Sequence, residues 1–556
     1  MKQELEQKVA AAIKALFEAD VAVELTRPEE QYGDYATNVA LQLAKPLGKP
    51  PREIAEALAA KLKEGLAEQV SEVTVAGPGF INLTLSDKAL LKAAEAEPAK
   101  SLAGKVVVAE YSDPNPFKVL HAGHLYTSVV GDAVANLLEQ AGAKVHRVNF
   151  GGDVGLHVGK TMWAIIKELG GEHPEKLNDM PKEEGPEWLT ERYIEGVRAY
   201  AFGDEAVRSE IMELNKHIYQ IHTDNDKDSP LAKIYWLTRD WSYQYFETFY
   251  DLIGSKFEKY YPESETASIG LETVRKHIGD VYQESDGAVI FDGEKHGLHT
   301  RVFINSEGLP TYEAKDVGLV IKKWEDYKFD KSVVITGNDI IEYMKVVLKS
   351  IEQFKPELAQ RSQHLTHGIV KLAGGRKMSS REGTILRAID VLNTTAAANK
   401  ALSGDNNQET VLGAVKYAFL KNRIGGDIVY DPQESVSLEG HSGPYLQYAH
   451  ARARSILRKA GQAEHQKATE LETGERALVR KLSEYPEAVD QAVAELAPHH
   501  LANYLYELAQ TFNRFYEQNR VIGDKRQGVR LGLIDKYAAT LKNGLSILGI
   551  SAPENM

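Results

Sequence analysis

The stretch KVVVAEYSDPNPFKVLHAGH, residues 105–124, decides the fold. It opens with an almost continuous apolar run at 105–111, as is typical of strands buried in a parallel sheet. A loop follows, and residues 124–142 then show the apolar spacing of a helix. A second apolar run at 144–150 completes strand, helix and strand, which predicts a right-handed βαβ unit.

Further runs downstream have the composition of strands and are separated by helical stretches; they lie at 288–293, 300–304, 331–336 and 364–372. We therefore predict an α/β catalytic domain over residues 101–395, built on an open, doubly wound, Rossmann-like parallel sheet. Residues 160–285 are charged and helical in pattern. They are predicted to form a helical insertion between the two halves of this domain.

The regions on either side of this domain have different patterns. Residues 1–100 combine amphipathic helices with VTVAGPGFINLTL (73–85), which alternates like two short strands joined at a Gly-Pro-Gly turn. They predict an α+β N-terminal domain. Residues 396–556 show helical periodicity without a strand pattern, which predicts an all-helical C-terminal bundle.

Composition limits the class of protein. The chain has 556 residues and no cysteine, which excludes disulfides and every thiolate-based site. No apolar run approaches the ~18 residues of a membrane span, so we expect a cytoplasmic protein without a membrane partner. The net charge of −14 argues against DNA binding by the whole surface. Residues 441–556, with 15 Lys and Arg against 13 Asp and Glu, leave room for a local polyanion-binding face.

A candidate phosphate site lies where the first strand meets the first helix, at His121-Ala122-Gly123-His124. Ligands of open α/β sheets bind at the carboxyl ends of strands, and a helix N-terminus offers free N–H groups to phosphate. His121 and His124 share a helix face, Gly123 leaves room for a flat ring, and Lys118 adds a cation. Two alternatives stay open here: surface histidines at a helix start, or a pair of metal ligands.

A second candidate is the stretch GGRKMSSREG, residues 374–383. Its glycines and hydroxyl residues predict a mobile loop after a strand. Such a loop could close over a polyphosphate with Lys377 as a point charge. A basic surface loop without a ligand is the alternative.

These two motifs, in this order, resemble the HIGH and KMSKS signatures of class I aminoacyl-tRNA synthetases. The chain resembles the arginyl-tRNA synthetase family more closely, and the similarity runs along its whole length. The matching stretches are EYSDPNPFK (110–118), RVNFGGDVG (147–155), LPTY (309–312) with Asp316, and PYLQYAHARARSILRKA (444–460). The GPGFIN stretch near the start and the ending SILGISAPENM also resemble the family.

The resemblance implies an arginine–tRNA ligase that uses ATP with Mg²⁺ and holds no structural metal. Its partners would be L-arginine, ATP and tRNA(Arg), and a monomer is expected. The catalytic residues implied are Lys118, His121, His124 and Lys377. The ATP-binding residues implied are His121, Gly123, His124, Lys377, Met378 and Ser379. The arginine-binding residues implied are Glu110, Asn115, His121, Tyr312 and Asp316, with Asp316 on the guanidinium and Glu110 and Asn115 at the amino end.

The chain departs from the family pattern at two positions. Ser380 stands where KMSKS has its second lysine; the family commonly lacks that lysine and carries one just before HIGH, which Lys118 matches. Asp339 stands near the place where the family often has a glutamine.

Aromatic and cationic residues alternate along 444–460. Tyr448, Arg452, Arg454 and Arg458 are the candidates for tRNA contact, because cations bind phosphates and aromatic rings stack on unpaired bases. The alternative is a bundle helix with aromatic core positions and solvated arginines.

Other functions are less well supported by the sequence. Gly159-Lys160-Thr161 nearly completes a Walker A loop, but Val154 stands where that motif needs its first glycine. Another class I synthetase and a non-catalytic tRNA-binding paralogue remain as rivals. A simple nucleotidyltransferase would not need the helical C-terminal domain.

Overall fold

The structure is a computed structural model that describes residues 1–181, 183–373, 386–404, 407–461 and 463–556. Its N-terminal part consists of α1 (Lys2–Phe17), β1 (Tyr35–Thr37), α2 (Val39–Leu47), α3 (Pro51–Gly65), β2 (Val70–Ala76), β3 (Phe80–Leu85) and α4 (Asp87–Ala94).

The central part consists of β4 (Val106–Glu110), α5 (Ala122–Gln140), β5 (Lys144–Gly151), α6 (Leu156–Leu169), α7 (Gly185–Phe202), α8 (Glu205–Thr223), α9 (Pro230–Ile253), β6 (Lys259–Pro262), α10 (Glu263–Lys276), β7 (Gln283–Ser285), β8 (Ala288–Phe291), β9 (Arg301–Ile304), α11 (Tyr312–Tyr327), β10 (Lys331–Gly337), α12 (Ile341–Phe354), α13 (Pro356–Arg361), β11 (Ser362–His367) and β12 (Val370–Leu372).

The C-terminal part consists of α14 (Ala388–Ser403), α15 (Gln408–Leu420), β13 (Ile428–Tyr430), α16 (Pro432–Ser435), α17 (Gly443–Ala460), α18 (Thr473–Ser483), α19 (Tyr485–Glu495), α20 (His499–Gln518) and α21 (Gln527–Ile547). Short 3₁₀ helices lie at Glu30–Tyr32, Pro174–Leu177, Gly293–His296 and Asn338–Ile340.

A parallel sheet with the strand order β11-β10-β4-β5-β6 forms the centre of the molecule. Successive side chains of a strand point to opposite faces of its sheet. Val107 and Ala109 of β4 therefore pack in the core beneath α5, whereas Val108 packs in a second core with residues of α11 and α12. Both faces are covered, and the predicted βαβ unit and doubly wound sheet are confirmed.

The strands predicted at 288–293 and 300–304 do not join this sheet. They form β8 and β9, which pair with β7 in a separate antiparallel sheet. Asp286 and Gly287 connect β7 to β8 with positive φ angles of 50° and 78°. A two-residue turn of this kind joins antiparallel neighbours, whereas a parallel pair needs a long crossover.

Three other predictions, two of helical regions and one of a strand, were wrong in detail. The predicted helical insertion at 160–285 contains β6, which pairs with β5 at the edge of the central sheet. The single strand predicted at 364–372 is divided into β11 and β12. β12 pairs with β13, which lies in the part predicted to be all-helical. The chain turns at Gly368, where an added Cβ would lie 2.3 Å from the carbonyl oxygen of Gly426.

The N-terminal part contains the predicted hairpin, and β1, which was not predicted, extends it to a sheet of order β1-β3-β2. This part docks on the C-terminal helices through ion pairs. The buried carboxylate of Asp34 accepts a 2.7 Å hydrogen bond from Arg476 and lies 3.4 Å from the Arg480 guanidinium. Arg27 donates a 2.6 Å hydrogen bond to Glu487. The two ends of the chain are therefore held together.

None of the helices within the described ranges is long and apolar enough to cross a membrane.

A single position tests the packing of α5 on the sheet. A Cβ added at Gly131 would lie 2.1 Å from Cγ of the buried Tyr111 ring. We expect Gly131→Ala to lower the free energy of unfolding by about 1–3 kcal/mol, as overpacking does. Thermal unfolding measures this, with Gly65→Ala as the matched control, because a Cβ there meets no atom within 4 Å. Equal midpoints for the two variants would contradict the tight packing.

Candidate active site

The candidate site lies at the carboxyl ends of β4 and β10, where the order of the sheet reverses. Of the five strands of the central sheet, β4 comes first in the chain, and it has β5 on one side and β10 on the other. Connections leave such a point in opposite directions and open a crevice, where ligands of α/β sheets bind. The segments that follow β4 and β10 therefore form the walls of the site.

The segment after β4 has a strained backbone that several hydrogen bonds hold in place. Ser112, Asp113 and Phe117 have positive φ angles of 74°, 48° and 70°. The backbone N–H of Phe117 donates to the Ser242 hydroxyl at 2.9 Å. Strain of this kind persists where the surroundings over-determine a conformation, and it is concentrated at functional sites.

His121 and His124 hold the first turn of α5 by reciprocal hydrogen bonds. The Nδ1 atom of His121 accepts from the backbone N–H of Gly123, and Nδ1 of His124 accepts from that of His121, both at 3.1 Å. The two rings stack with their centroids 3.7 Å apart. Because each Nδ1 accepts, each neutral ring carries its hydrogen on Nε2. The predicted common face is confirmed, and it presents two N–H donors.

Burial keeps both rings neutral. It lowers the pKa of His121 to about 4, and the nearby Lys118 ammonium adds to the effect. Burial also lowers the pKa of His124 well below its usual value. Two neutral donors at a helix N-terminus suit the oxygens of a phosphate.

Gly123 has a structural role that the sequence did not indicate. A Cβ at this position would lie 2.8 Å from Cε1 of the His121 ring. The glycine therefore leaves room for the His121 side chain to cap the helix. This contact is a reason for glycine here besides the predicted approach of a nucleotide.

Lys118 lies beside this pair without a carboxylate partner among the described residues. Its ammonium is 5.3 Å from the centroid of the Tyr193 ring on α7, and burial lowers its pKa. A half-buried cation next to the two histidines is available to an anionic ligand.

Two carboxylates of the site are already neutralised by lysines of α11. Glu110, the last residue of β4, is 2% exposed and forms an ion pair with Lys323, which also donates to Ser332 at 3.2 Å. Glu263, the first residue of α10, accepts a 2.5 Å hydrogen bond from the buried Lys315. Both carboxylates are buried, and a charge in the interior of a protein must be paired.

Asp316 lies between these two lysines along α11 and has no cationic partner among the described residues. It accepts a hydrogen bond from the Tyr343 hydroxyl of α12. Burial raises the pKa of Asp316 to about 7, and the negative charges of Glu110 and Glu263 add to the increase. An ionised Asp316 therefore favours a cation from outside the protein.

Tyr312 is one helical turn before Asp316, as predicted, and its side chain is half exposed. Its hydroxyl lies 3.2 Å from Nδ1 of His157, and Nε2 of His157 lies 2.7 Å from the Gly152 carbonyl oxygen. Since only Nε2–H can donate to the carbonyl, Nδ1 accepts from the tyrosine. The lone pairs of the Tyr312 oxygen then remain available to a donor.

Asn115 and Asp339 occupy different environments. The Asn115 side-chain oxygen accepts a 2.9 Å hydrogen bond from the backbone N–H of Gly152, so its amide N–H groups remain for other partners. Asp339 is exposed in the 3₁₀ turn after β10. Lys377, Met378 and Ser379 of the second motif, together with Ser380, lie outside the described residues.

Gly159-Lys160-Thr161, the near match to a Walker A loop, lies inside α6 rather than in a loop. The hydroxyl of Thr161 donates to the carbonyl oxygen of His157 within that helix. Its backbone N–H groups cannot cradle a phosphate.

The candidates for tRNA contact lie together on α17. The guanidinium of Arg452 is 4.9 Å from the centroid of the partly exposed Tyr448 ring. Arg454 donates to Glu554 at 2.7 Å, and Arg458 donates to the carbonyl oxygen of that residue. Two of the four candidate side chains thus bind the C-terminal tail.

Several residues of the site were missed by sequence reasoning, namely Asp113, His157, Glu263, Lys315, Lys323 and Tyr343. Asp113, His157 and Tyr343 stand inside stretches that the sequence singled out, at 110–118, 144–161 and 335–343. No group of three or more His, Asp or Glu side chains in the described part of the chain is placed to hold a metal ion.

Family models match the chain in three consecutive segments. The model described as tRNA synthetases class I (R), catalytic domain, matches residues 86–432, more than half of the chain. The chain belongs to the arginyl-tRNA synthetase family. The arginyl-tRNA synthetase N-terminal domain matches residues 3–85, and the DALR anticodon-binding domain matches residues 446–556.

Individual relatives extend over the whole chain. The arginine–tRNA ligase of Phocaeicola vulgatus is 29% identical, with 100% of both chains covered. That of Porphyromonas gingivalis is also 29% identical and covers 100% of this chain and 99% of its own. The arginyl-tRNA synthetase structure of Thermus thermophilus matches with a TM-score of 0.82 at 27% identity over 100% of both chains.

These matches confirm the predicted fold class. The central sheet is the Rossmann-like sheet of a class I synthetase catalytic domain. An N-terminal domain precedes it and a helical domain follows it. The Plasmodium falciparum arginyl-tRNA synthetase has the same fold, with a TM-score of 0.80 at 20% identity over 100% of this chain and 99% of that one.

The buried pair beneath the site gives a stability prediction. Lys323→Met leaves Glu110 buried without a counter-ion, so we expect the free energy of unfolding to fall by about 3–5 kcal/mol. Replacing both residues with methionine should restore most of the loss, because a buried pair can often be exchanged for apolar packing. Chemical denaturation of the three proteins measures this. A single variant as stable as the native chain would contradict the pairing.

Proposed function

We propose that this chain is an arginine–tRNA ligase. The arginine carboxylate attacks the α-phosphorus of ATP, the bond to the bridging oxygen breaks, and pyrophosphate leaves. The 2′-hydroxyl of the terminal adenosine of tRNA then attacks the carbonyl carbon of arginyl-adenylate, and AMP leaves. Family membership along the whole chain supports this reaction. The observation that carries it in the structure is Asp316, a carboxylate near Glu110 without a cationic partner among the described residues, together with two neutral histidine donors at the start of α5.

ATP is proposed to bind at the first turn of α5. The Nε2–H groups of His121 and His124 would donate to phosphate oxygens, supported by the positive end of the helix. Lys118 would neutralise charge that develops on the leaving pyrophosphate. Mg²⁺ is proposed to enter with the nucleotide. Lys377, Met378 and Ser379 are proposed to complete the ATP site from the segment outside the described residues.

Arginine is proposed to bind between α11 and the segment after β4. Its guanidinium is a planar fork of five donors, and a carboxylate is the acceptor that suits it best. Asp316 fits this role because it is ionisable and has no cation of its own among the described residues. Tyr312 would accept a further N–H, and the side-chain oxygen of Asn115, which has a second lone pair, would accept from the amino end of the amino acid.

The tRNA is proposed to contact α17 through Tyr448 and Arg452, whose guanidinium lies over the tyrosine ring. Arg454 and Arg458 would exchange their contacts with Glu554 for phosphates. The predicted domain limits at residues 100 and 395, the monomeric state and the cytoplasmic location stay predictions.

Exchange of labelled pyrophosphate into ATP tests the activity, run with each amino acid and with or without tRNA. We expect exchange with arginine and with no other amino acid, together with arginylation of a tRNA mixture. A strong signal with another amino acid would identify a different synthetase. Binding of tRNA without exchange or charging would identify a non-catalytic paralogue.

Lys118→Ala tests the proposed replacement for the missing KMSKS lysine. Removing one contact to developing charge typically costs about 10²–10³ in rate. We expect kcat for arginine activation to fall by that amount while the KM for arginine changes little. An unchanged kcat would show that Lys118 does not act on the phosphates.

The raised pKa of Asp316 predicts that arginine binding depends on pH. Arginine favours the ionised carboxylate, so its affinity should fall as the pH is lowered through about 7. Calorimetric titration between pH 6 and pH 8 measures this change and the proton released on binding. Asp316→Asn should bind weakly with a flatter pH profile. A native protein whose affinity is constant over this range would contradict the assignment.

A further inference from the structure

The helical insertion contacts the backbone of the segment that leads from β4 into α5. The backbone N–H of Phe117 donates to the hydroxyl of Ser242 on α9 at 2.9 Å. The backbone N–H of Leu120 donates to the hydroxyl of Tyr245 on the same helix at 3.2 Å. Side chains of the insertion thus satisfy N–H groups that a carbonyl oxygen would satisfy in a strand or a helix. The insertion therefore helps to fix the path of the chain into the candidate active site.

A third contact of this kind comes from Thr190 on α7. Its hydroxyl oxygen accepts a 2.8 Å hydrogen bond from the backbone N–H of Val119. The same hydroxyl donates a 2.9 Å hydrogen bond to the Pro186 carbonyl oxygen within its own helix. Since its single hydrogen is used there, a lone pair is left to accept from Val119. The bond fixes the peptide unit that joins Lys118 to Val119, from which the lysine side chain extends.

Lys118 depends on such support, because no carboxylate in the described ranges of the chain forms an ion pair with it. The ring of Tyr193 provides a contact to its side chain, with the ring centroid 5.3 Å from the ammonium. Tyr193 comes three residues after Thr190 on α7, so the two side chains share a helix face. One face of α7 therefore supports both the backbone and the ammonium of Lys118.

The rest of the segment is held from the other side. The backbone N–H of Ala122 donates to the Leu386 carbonyl oxygen at 2.8 Å, and that of Ala388 donates to the Leu120 carbonyl oxygen at 2.9 Å. These bonds fix residues 120–122, which also carry the reciprocal contacts of the two histidines. The position of Lys118 is thus set mainly from the insertion, and that of His121 from α5 and the start of α14.

We propose that Thr190 is a positioning residue that acts through Lys118 and sets where this ammonium meets the phosphates of ATP. The inference rests on the proposed function, and it assigns a part in arginine activation to a helix of the insertion. A displacement of about 1 Å at a reacting centre can cost about 10²-fold in rate, even when its cause lies elsewhere. Thr190 therefore influences kcat without touching either substrate.

Thr190→Val keeps the shape of the side chain and removes the acceptor for Val119. We expect kcat for arginine-dependent exchange of pyrophosphate into ATP to fall by about 10–100-fold. KM for ATP and for arginine should change little, because His121 and His124 keep their own contacts. Thr190→Ser retains the hydroxyl and should restore most of the native kcat.

Thr248 on α9 provides a matched control. Its hydroxyl donates to the Gln244 carbonyl oxygen within its own helix at 2.9 Å, as that of Thr190 does to Pro186. Thr248→Val removes only a bond of this kind and should leave kcat unchanged. A lower kcat in Thr190→Val is then due to the lost bond with Val119.

Two further measurements test whether the effect passes through Lys118. In the Lys118→Ala background, Thr190→Val should cause little further loss of kcat, because the effects of residues that act as one unit are not additive. Acetylation of Lys118 by acetic anhydride, followed by mass spectrometry on the protein without substrates, reports the position of the side chain directly. Its rate should rise in Thr190→Val and stay native in Thr248→Val.

The inference is overturned if Thr190→Val keeps the native kcat, or if its loss is equally large in the Lys118→Ala background. A loss that Thr190→Ser does not restore, or an unchanged rate of acetylation at Lys118, would also overturn it. A native protein without arginine-dependent exchange would refute the proposed function itself. Acetylation needs no activity, so the two failures are distinguishable.

Discussion

The site depends on two imidazole rings that hold the first turn of α5 and leave their outer nitrogens free. Each ring satisfies a backbone N–H that a helix start would otherwise leave without a partner. α5 packs on the central sheet and also contacts α14, α15 and α21. A shift of its first turn would disturb both the proposed phosphate donors and the packing of the C-terminal helices. His121 and His124 thus link the chemistry of the site to the assembly of the domains.

The spacing of apolar residues along the chain was sufficient to predict elements that are formed by neighbouring residues. The βαβ unit of β4, α5 and β5 was predictable because a buried strand and an amphipathic helix each leave a periodic signal. β8 and β9 leave the same signal as strands of the central sheet, and only their antiparallel pairing with β7 and with each other places them elsewhere. β13 is three residues long, which is too short for any period to be visible.

The candidate site shows the same division. The pair of histidines and the shared face of Tyr312 and Asp316 follow from spacing along a helix. The partners of Glu110 and Glu263 do not, because Lys323 and Lys315 are 213 and 52 residues away in the chain. Which carboxylates are neutralised decides which can bind a cationic substrate. That distinction depends on contacts between distant elements, so it is visible only in the folded chain.

The ion pairs of Asp34 with Arg476 and of Arg27 with Glu487 join the N-terminal part of the chain to the C-terminal helices. The first hundred residues contact both the catalytic domain and the C-terminal helices, so a movement of either end would break these partly buried ion pairs. A long, L-shaped partner that contacted both ends would therefore meet two surfaces whose separation is fixed. A fixed separation of this kind can select a partner by its length without contacts to individual bases.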